Sequence, residues 1–356
     1  MLCLRFTQRA LRFNFPARTS RGALAEHVAW YLHLADDAAP AVAGVGEAAP
    51  LAGLSPDFGA DFPAAVAQLC NRFNAGAFAT FAAADAPAFV GPGYPALVFA
   101  LETAVLDLAL GGRRQLYANA FSQGRAPLPI NGLVWMGDAP FMRQQIQQKL
   151  AAGYSCLKLK IGSLDFETEL ALLAEIRAVA GPDQLMLRVD ANGAFAPAEA
   201  AGKLARLAAF RVHSIEQPIA AGQRPELAAL CRASPIPIAL DEELIGVSDP
   251  AQQAALLDQV RPAYIVLKPT LLGGHAATRR WIALAEARDI DWWITSALES
   301  NVGLNAVAQL TGEYEVRGFA QGLGTGQLYH NNIAAPLSIE RGNLFFDPNG
   351  TWEPFK

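Results

Sequence analysis

Beyond residue 129 the chain repeats one texture, an apolar run of a few residues followed by a helical stretch. The runs lie at 130–135, 156–161, 185–189, 212–215, 236–240, 264–267, 292–295 and, weakly, 318–320. Short apolar runs alternating with helices make parallel strands joined by crossover helices. Eight of them within about 200 residues predict a (β/α) barrel, with an open doubly wound sheet as the alternative. Charge placement narrows the reading. Lys160, Asp190, Glu216, Asp241 and Lys268 each stand at or just past the C-terminal end of a run, separated by 30, 26, 25 and 27 residues. A βα unit takes roughly 30 residues, so five consecutive strands would each deliver one charge to one mouth, the face where barrel enzymes keep their active sites.

Residues 1–125 have a different pattern. Leu2, Leu4 and Phe6, then Leu11, Phe13 and Phe15, recur at period two and predict a half-buried strand pair, part of three antiparallel strands that end in Ala43-Gly44-Val45-Gly46-Glu47. That periodicity outweighs the likeness of the acid-free, arginine-bearing first 21 residues to a targeting segment. Helices are expected at 61–81 and 95–110, the second with Leu97, Leu101, Ala104, Val105 and Leu108 on one face and Gly111-Gly112 as its stop. The expected organisation is a front α+β module at 1–125, a barrel at 129–325, and a segment at 326–356. That last segment turns near Arg341-Gly342-Asn343 and returns to the front module.

Composition excludes several function classes. With 52% hydrophobic and 17% charged residues the chain is not disordered, and a net charge of -5 leaves no footprint for nucleic acid. The most apolar stretch, 94–112, is broken by Glu102 and Asp107, so no membrane span is expected. Cys3, Cys70, Cys156 and Cys231 form no CxxC and suit reduced thiols in the cytoplasm. Of 28 basic residues only Lys149, Lys158, Lys160, Lys203, Lys268 and Lys356 are lysines, and three of these six fall at the predicted mouth.

Taken singly, each carboxylate has an ordinary reading: Asp190 as a helix cap, Glu216 as a surface residue before Pro218, Asp241 as the start of an acidic turn with Glu242 and Glu243. Matched positions on successive strands argue against three such coincidences. Converging carboxylates repel unless a cation joins them, and an all-oxygen set selects a hard ion, Mg²⁺, with Mn²⁺ as a substitute. His27, His33, His213, His275 and His330 fall at positions suited to packing or surface roles. Lys158 and Lys160 alternate on one strand face, and Lys268 comes from across the barrel. A lysine beside a dication and other lysines has its neutral form favoured and acts as a general base. Together these groups equip the site to remove a proton α to a carboxylate, with the dication stabilising the enediolate.

The order Leu157-Lys158-Leu159-Lys160, Arg188-Val189-Asp190-Ala191-Asn192, Ile215-Glu216-Gln217-Pro218, Ala239-Leu240-Asp241-Glu242 and Val266-Leu267-Lys268-Pro269 resembles the enolase superfamily, muconate-lactonizing-enzyme subgroup. Gly44-Val45-Gly46-Glu47 and Ala100-Leu101-Glu102-Thr103-Ala104 extend the likeness to that subgroup's capping domain. The resemblance implies Asp190, Glu216 and Asp241 as magnesium ligands, Lys160 as principal acid/base, Lys268 as its opposite partner and Lys158 as an electrostatic aid.

Within the subgroup, Ile130-Asn131-Gly132-Leu133-Val134-Trp135-Met136-Gly137, the stretch from Ser296 through Ser300 to Leu304, and Gly322-Leu323-Gly324-Thr325-Gly326 are similar to the o-succinylbenzoate synthases of menaquinone biosynthesis. These lyases act by syn dehydration of a cyclohexadiene carboxylate, and the partner so implied is a small-molecule carboxylate. Ser296, Ser300, Gly324, Thr325 and Arg21, in the polar stretch 18–22, are expected to meet the substrate; Arg188, Asn192 and Glu242 are expected to support the metal site, with a structural ion pair as the alternative for Arg188.

Two other functions compete. Racemases of N-acyl amino acids or dipeptide epimerases need both lysines for proton exchange, but the epimerase Asp-x-Asp is absent from Gly322-Leu323-Gly324-Thr325. A non-catalytic metabolite-binding barrel predicts decay of the charged set, yet all five positions are filled. The glycines at 322–326 do not complete G-x-G-x-x-G, which argues against a nicotinamide oxidoreductase.

Overall fold

The structure, a computed structural model, describes residues 1–19, 22–316 and 318–355. β1 (Leu2–Thr19), β2 (Gly22–Asp36) and β3 (Ala43–Ala48) pair antiparallel in that order. The two short strands expected before residue 16 are one continuous strand. The apolar phase shifts between Phe6 and Leu11 because the sheet is buried on both faces, not because the chain turns. Leu4, with Trp30, Leu32 and Leu34 of β2, packs on α1 (Phe62–Ala75), α2 (Ala86–Val90) and α3 (Pro95–Ala109). Leu11 and Phe13, with Ala29 and Tyr31, join Leu51, Trp135 and Leu298 in a separate cluster. The helix expected at 61–81 stops at Ala75, before Gly76.

Glycine is required where β3 lies on α3. A Cβ at Gly44 would stand 2.0 Å from the Ala104 carbonyl oxygen, and one at Gly46 would stand 1.9 Å from that of Ala100. No side chain fits these gaps, so the strand and helix backbones meet directly.

β4 (Leu128–Pro129) leads into the barrel. Its wall is β5 (Gly132–Val134), β6 (Cys156–Lys160), β7 (Met186–Asp190), β8 (Ser214–Glu216), β9 (Ile238–Leu240), β10 (Tyr264–Leu267) and β11 (Asp291–Ile294). These seven strands pair in parallel, each with its sequence neighbour. Between them run α4 (Ala139–Ala151), α5 (Phe166–Val179), α6 (Pro197–Ala208), α7 (Arg224–Ala233), α8 (Pro250–Val260), the short α9 (Pro269–Leu272) and α10 (Gly274–Glu286); α11 (Asn301–Thr311) follows β11.

The weak eighth run at 318–320 forms no strand among its described residues; single bridges follow just past it, Gln321 with Ile130 and Gly322 with Thr295. A Cβ at Gly322 would fall 2.0 Å from the Thr295 hydroxyl oxygen, so glycine permits this closure. The open doubly wound alternative is thereby set aside.

The C-terminal hairpin, β12 (Leu337–Glu340) and β13 (Asn343–Phe346), turns at Arg341 and Gly342, whose φ values are 47° and 71°. β13 pairs with β4, so the hairpin docks at the barrel entrance. The last residues reach the front sheet: Glu353 accepts from Arg9 at 2.8 Å, and the Phe355 ring centroid lies 4.9 Å from that of Tyr31. Among the described residues no helix is long and apolar enough to cross a membrane.

Candidate active site

Register alone assembles the charged cluster. Lys160 is opposite Asp190 and Asp190 is opposite Glu216 on neighbouring strands, while Glu216 is opposite Ala239, two residues before Asp241. Side chains alternate along a strand, so Lys160, Asp190 and Glu216 share one face, and Asp241 follows at the end of the next strand. Lys158 Nζ donates to both Glu216 oxygens, at 2.7 and 2.6 Å, and lies 2.9 Å from Asp190 Oδ2. Lys160 Nζ donates to Asp190 Oδ2 and Asn192 Oδ1, each at 2.8 Å, and Asn192 Nδ2 donates to Glu242 Oε1 at 3.0 Å. Across the mouth, Lys268 donates to Asp241.

Burial makes these charges interdependent. It pushes the Asp190 carboxyl up, but Lys158 and Lys160 outweigh it and hold the group well below the usual range. Burial and the neighbouring Asp190 charge push Glu216 well above its ordinary value. Burial does oppose the ammonium form of Lys158 and Lys268, but the carboxylates they touch win, and both stand above the ordinary lysine value.

Asp190, Glu216 and Asp241 are almost fully buried and offer only oxygen. No three Asp, Glu, His or Cys side chains among the described residues are drawn together as an ion cage. Ammonium groups instead sit directly on these carboxylates. Buried oxygens that already hold cationic groups at contact distance fit a hard dication.

The cluster forms the floor of a small cavity, about 90 Å³, that opens to solvent. Lys158, Lys160, Lys268, Asn192 and Glu242 line it below; Leu133, Trp135 and Leu298 from the barrel, and Leu51 and Leu54 from the front module, form apolar walls.

The expected substrate contacts divide. Ser296 and Gly324 line the cavity. The Ser296 hydroxyl, however, donates to Glu299 and accepts from Thr325 at 2.7 Å and from Leu298 N–H at 3.1 Å. Ser300 does not reach the cavity: it is fully buried, caps α11 and donates its hydroxyl to Glu47. Thr325 is buried behind Ser296. Arg21 lies outside the described residues. Among the described residues Arg188 pairs with no carboxylate; it donates to the Ala320 carbonyl at 2.7 Å, and its guanidinium lies 4.0 Å from the Trp293 ring centroid. Its strand position pointed inward correctly, but it sits one layer below the carboxylates, against aromatic rings.

Residues 141–352 match the family described as enolase C-terminal domain-like. The chain belongs to the enolase superfamily. An o-succinylbenzoate synthase from Desulfotalea psychrophila is 46% identical, over 96% of this chain and 98% of its own. A solved structure, MenC of the same organism, superposes with a TM-score of 0.85 at 43% identity, covering 97% of this chain and 99% of its own. Another member, a hydrophobic dipeptide epimerase from Roseobacter litoralis, is 28% identical over 92% of this chain and 94% of its own. The L-Ala-D/L-Glu epimerase of Bacillus subtilis shares the fold, with a TM-score of 0.82 at 20% identity over 97% of this chain and 95% of its own.

Sequence reading gave no role to three carboxylates. Glu299 accepts from Thr270 at 2.8 Å, from Ala297 N–H at 2.8 Å and from Ser296, linking the segments after β10 and β11. Glu47 and Glu102, within the two front-module motifs, reach across to the N-termini of α11 and α10. A single glutamate in a motif otherwise made of small and uncharged residues was the available signal.

Glu102 carries a pH prediction. Burial pushes its carboxyl up from 4.5 to about 7, against the backbone donors of His275 and Ala276. Between those values the native state keeps a proton that the unfolded chain has released, so this group's stabilisation falls as pH rises to about 7 and is constant above. Unfolding midpoints of wild type and Glu102→Gln should therefore converge or cross in favour of the variant from pH 5 to 7; a constant difference would refute the assignment.

Proposed function

We propose that this enolase-superfamily chain is a Mg²⁺-dependent o-succinylbenzoate synthase. It would dehydrate a 2-succinyl-6-hydroxycyclohexadiene-1-carboxylate in the syn sense and aromatise its ring. The observation that carries this reading is the placement of Lys160 and Lys268 on opposite sides of one mouth, above three buried carboxylates. The 46% identical relative, matched over nearly its whole length, supports the choice of dehydration.

Asp190, Glu216 and Asp241 would hold the ion. When bound, Mg²⁺ supplies positive charge that offsets the negative charge developing on the substrate carboxylate. Lys160, as the free amine, takes the proton from the carbon α to that carboxylate and returns it to the departing hydroxyl, which leaves as water. One base can serve both steps because both bonds break on the same ring face. Lys268 remains an ammonium over the developing negative charge and transfers no proton. Leu51, Leu54, Leu133, Trp135 and Leu298 exclude water around the ring.

Purified protein with Mg²⁺ should consume the hydroxycyclohexadiene with loss of its ultraviolet absorbance. N-acyl amino acids and dipeptides in D₂O serve as comparators. Deuterium exchange at Cα without dehydration would overturn this reading in favour of a racemase.

A further inference from the structure

The Gly44-Val45-Gly46-Glu47 and Ala100-Leu101-Glu102-Thr103-Ala104 motifs form one device that the chemistry leaves unexplained. The glycines let β3 lie on α3, and from this joined pair two buried glutamates reach the N-termini of α10 and α11. Glu102 accepts from the backbone of His275 and Ala276 at the start of α10. Glu47 is more fully engaged: Oε1 accepts from Ser300 N–H at 2.7 Å, while Oε2 accepts from Gly303 N–H at 2.7 Å and from the Ser300 hydroxyl. A carboxylate at a helix N-terminus satisfies amides the helix leaves free and meets the positive end of its dipole.

The two glutamates differ in what they hold: Glu47 grips Ser300 and Gly303, with Glu299 between Ser300 and the lining residues 296–298. Residues 269–276, around the Glu102 contact, contribute nothing to the lining of the active-site cavity, which on this side ends at Lys268. The Glu47 contact falls just beyond Ser296, Ala297 and Leu298, which form one wall. Four residues beyond Glu47, Leu51 begins a second stretch of the lining, contributed by the front module, and Leu54 continues it. Ala49, Leu51, Leu298 and Val302 pack in the same apolar cluster around this junction.

We propose that Glu47 is a positioning residue for substrate: it ties the 296–298 wall to the 51–54 wall and so sets the width of the cavity. It touches no reacting atom. Its effect is on the fit of the succinyl-bearing ring between the walls, and in this respect the inference rests on the dehydration proposed above. Glu102 performs the same clamping on α10 without bearing on that width, which makes it a matched control.

Steady-state dehydration kinetics of Glu47→Gln and Glu102→Gln test this. Losing charge-assisted bonds to Ser300 and Gly303 is expected to raise KM about tenfold in Glu47→Gln, with kcat within about twofold of wild type. Glu102→Gln should keep the wild-type KM whatever its loss of thermal stability. An unchanged KM in folded Glu47→Gln, or an equal rise in both variants, overturns the proposal. If Glu47→Gln does not fold, Ser300→Ala removes one donor and leaves the two amides; its KM should rise about threefold, and no rise overturns the proposal. An inactive wild type would sink the dehydration reading instead, so the two failures are distinguishable.

Discussion

Replacing Lys160 with alanine is expected to leave a folded barrel and to lower the dehydration rate by about 10²–10⁴-fold or more, the range a positioned proton-transfer group contributes. The loss should be chemical rather than structural. Lys160 lines the cavity, and its amine is held at 2.8 Å by Asp190 and by Asn192, itself fixed by Glu242. Asp190 is not stranded by the substitution, because Lys158 remains 2.9 Å away. Circular dichroism and the unfolding midpoint should therefore stay near wild type while turnover collapses. Turnover within tenfold of wild type would remove Lys160 from the acid/base role.

Stripping the protein with a chelator is expected to abolish turnover, and Mg²⁺ to restore it, with Mn²⁺ substituting. Glu216→Gln should then raise the Mg²⁺ concentration needed for half-saturation by at least about 100-fold, since even residues behind the ligands of metal sites contribute 10–100-fold. Glu216 is the informative choice. It is buried beside Asp190, is pushed well above its usual value, and holds Lys158 through both oxygens. The amide keeps its volume and removes its charge, and Lys158 retains Asp190, so the fold should survive. Calorimetric titration of Mg²⁺ into the variant reads the same loss without relying on activity. Unaltered Mg²⁺ affinity, or full turnover after exhaustive chelation, would exclude Glu216 and the metal respectively.

What the sequence disclosed follows from what is periodic. Strand spacing and alternation located Lys158, Lys160, Asp190, Glu216, Asp241 and Lys268, because in a parallel barrel register converts sequence interval directly into position. Loop residues obey no such rule. Ser296 and Ser300 looked equivalent, yet one lines the cavity and the other is consumed as the cap of α11 by Glu47, more than two hundred residues earlier in the chain. Arg188 showed its direction but not its depth. The interdomain roles of Glu47 and Glu102 depend on backbone contact at Gly44 and Gly46, which a linear reading registers only as small residues.

The two buried faces of the front sheet also have a consequence for how that module attaches to the barrel. A shift of β2 by one residue would hand Trp30, Leu32 and Leu34 to the barrel side and Ala29 and Tyr31 to the helices. Each face would then meet side chains of a different size from those it packs now. Attachment of the module is therefore quantised: strand pairing admits one seating and rejects its neighbours, so the leucines above the catalytic floor are set in whole residue steps rather than adjusted continuously.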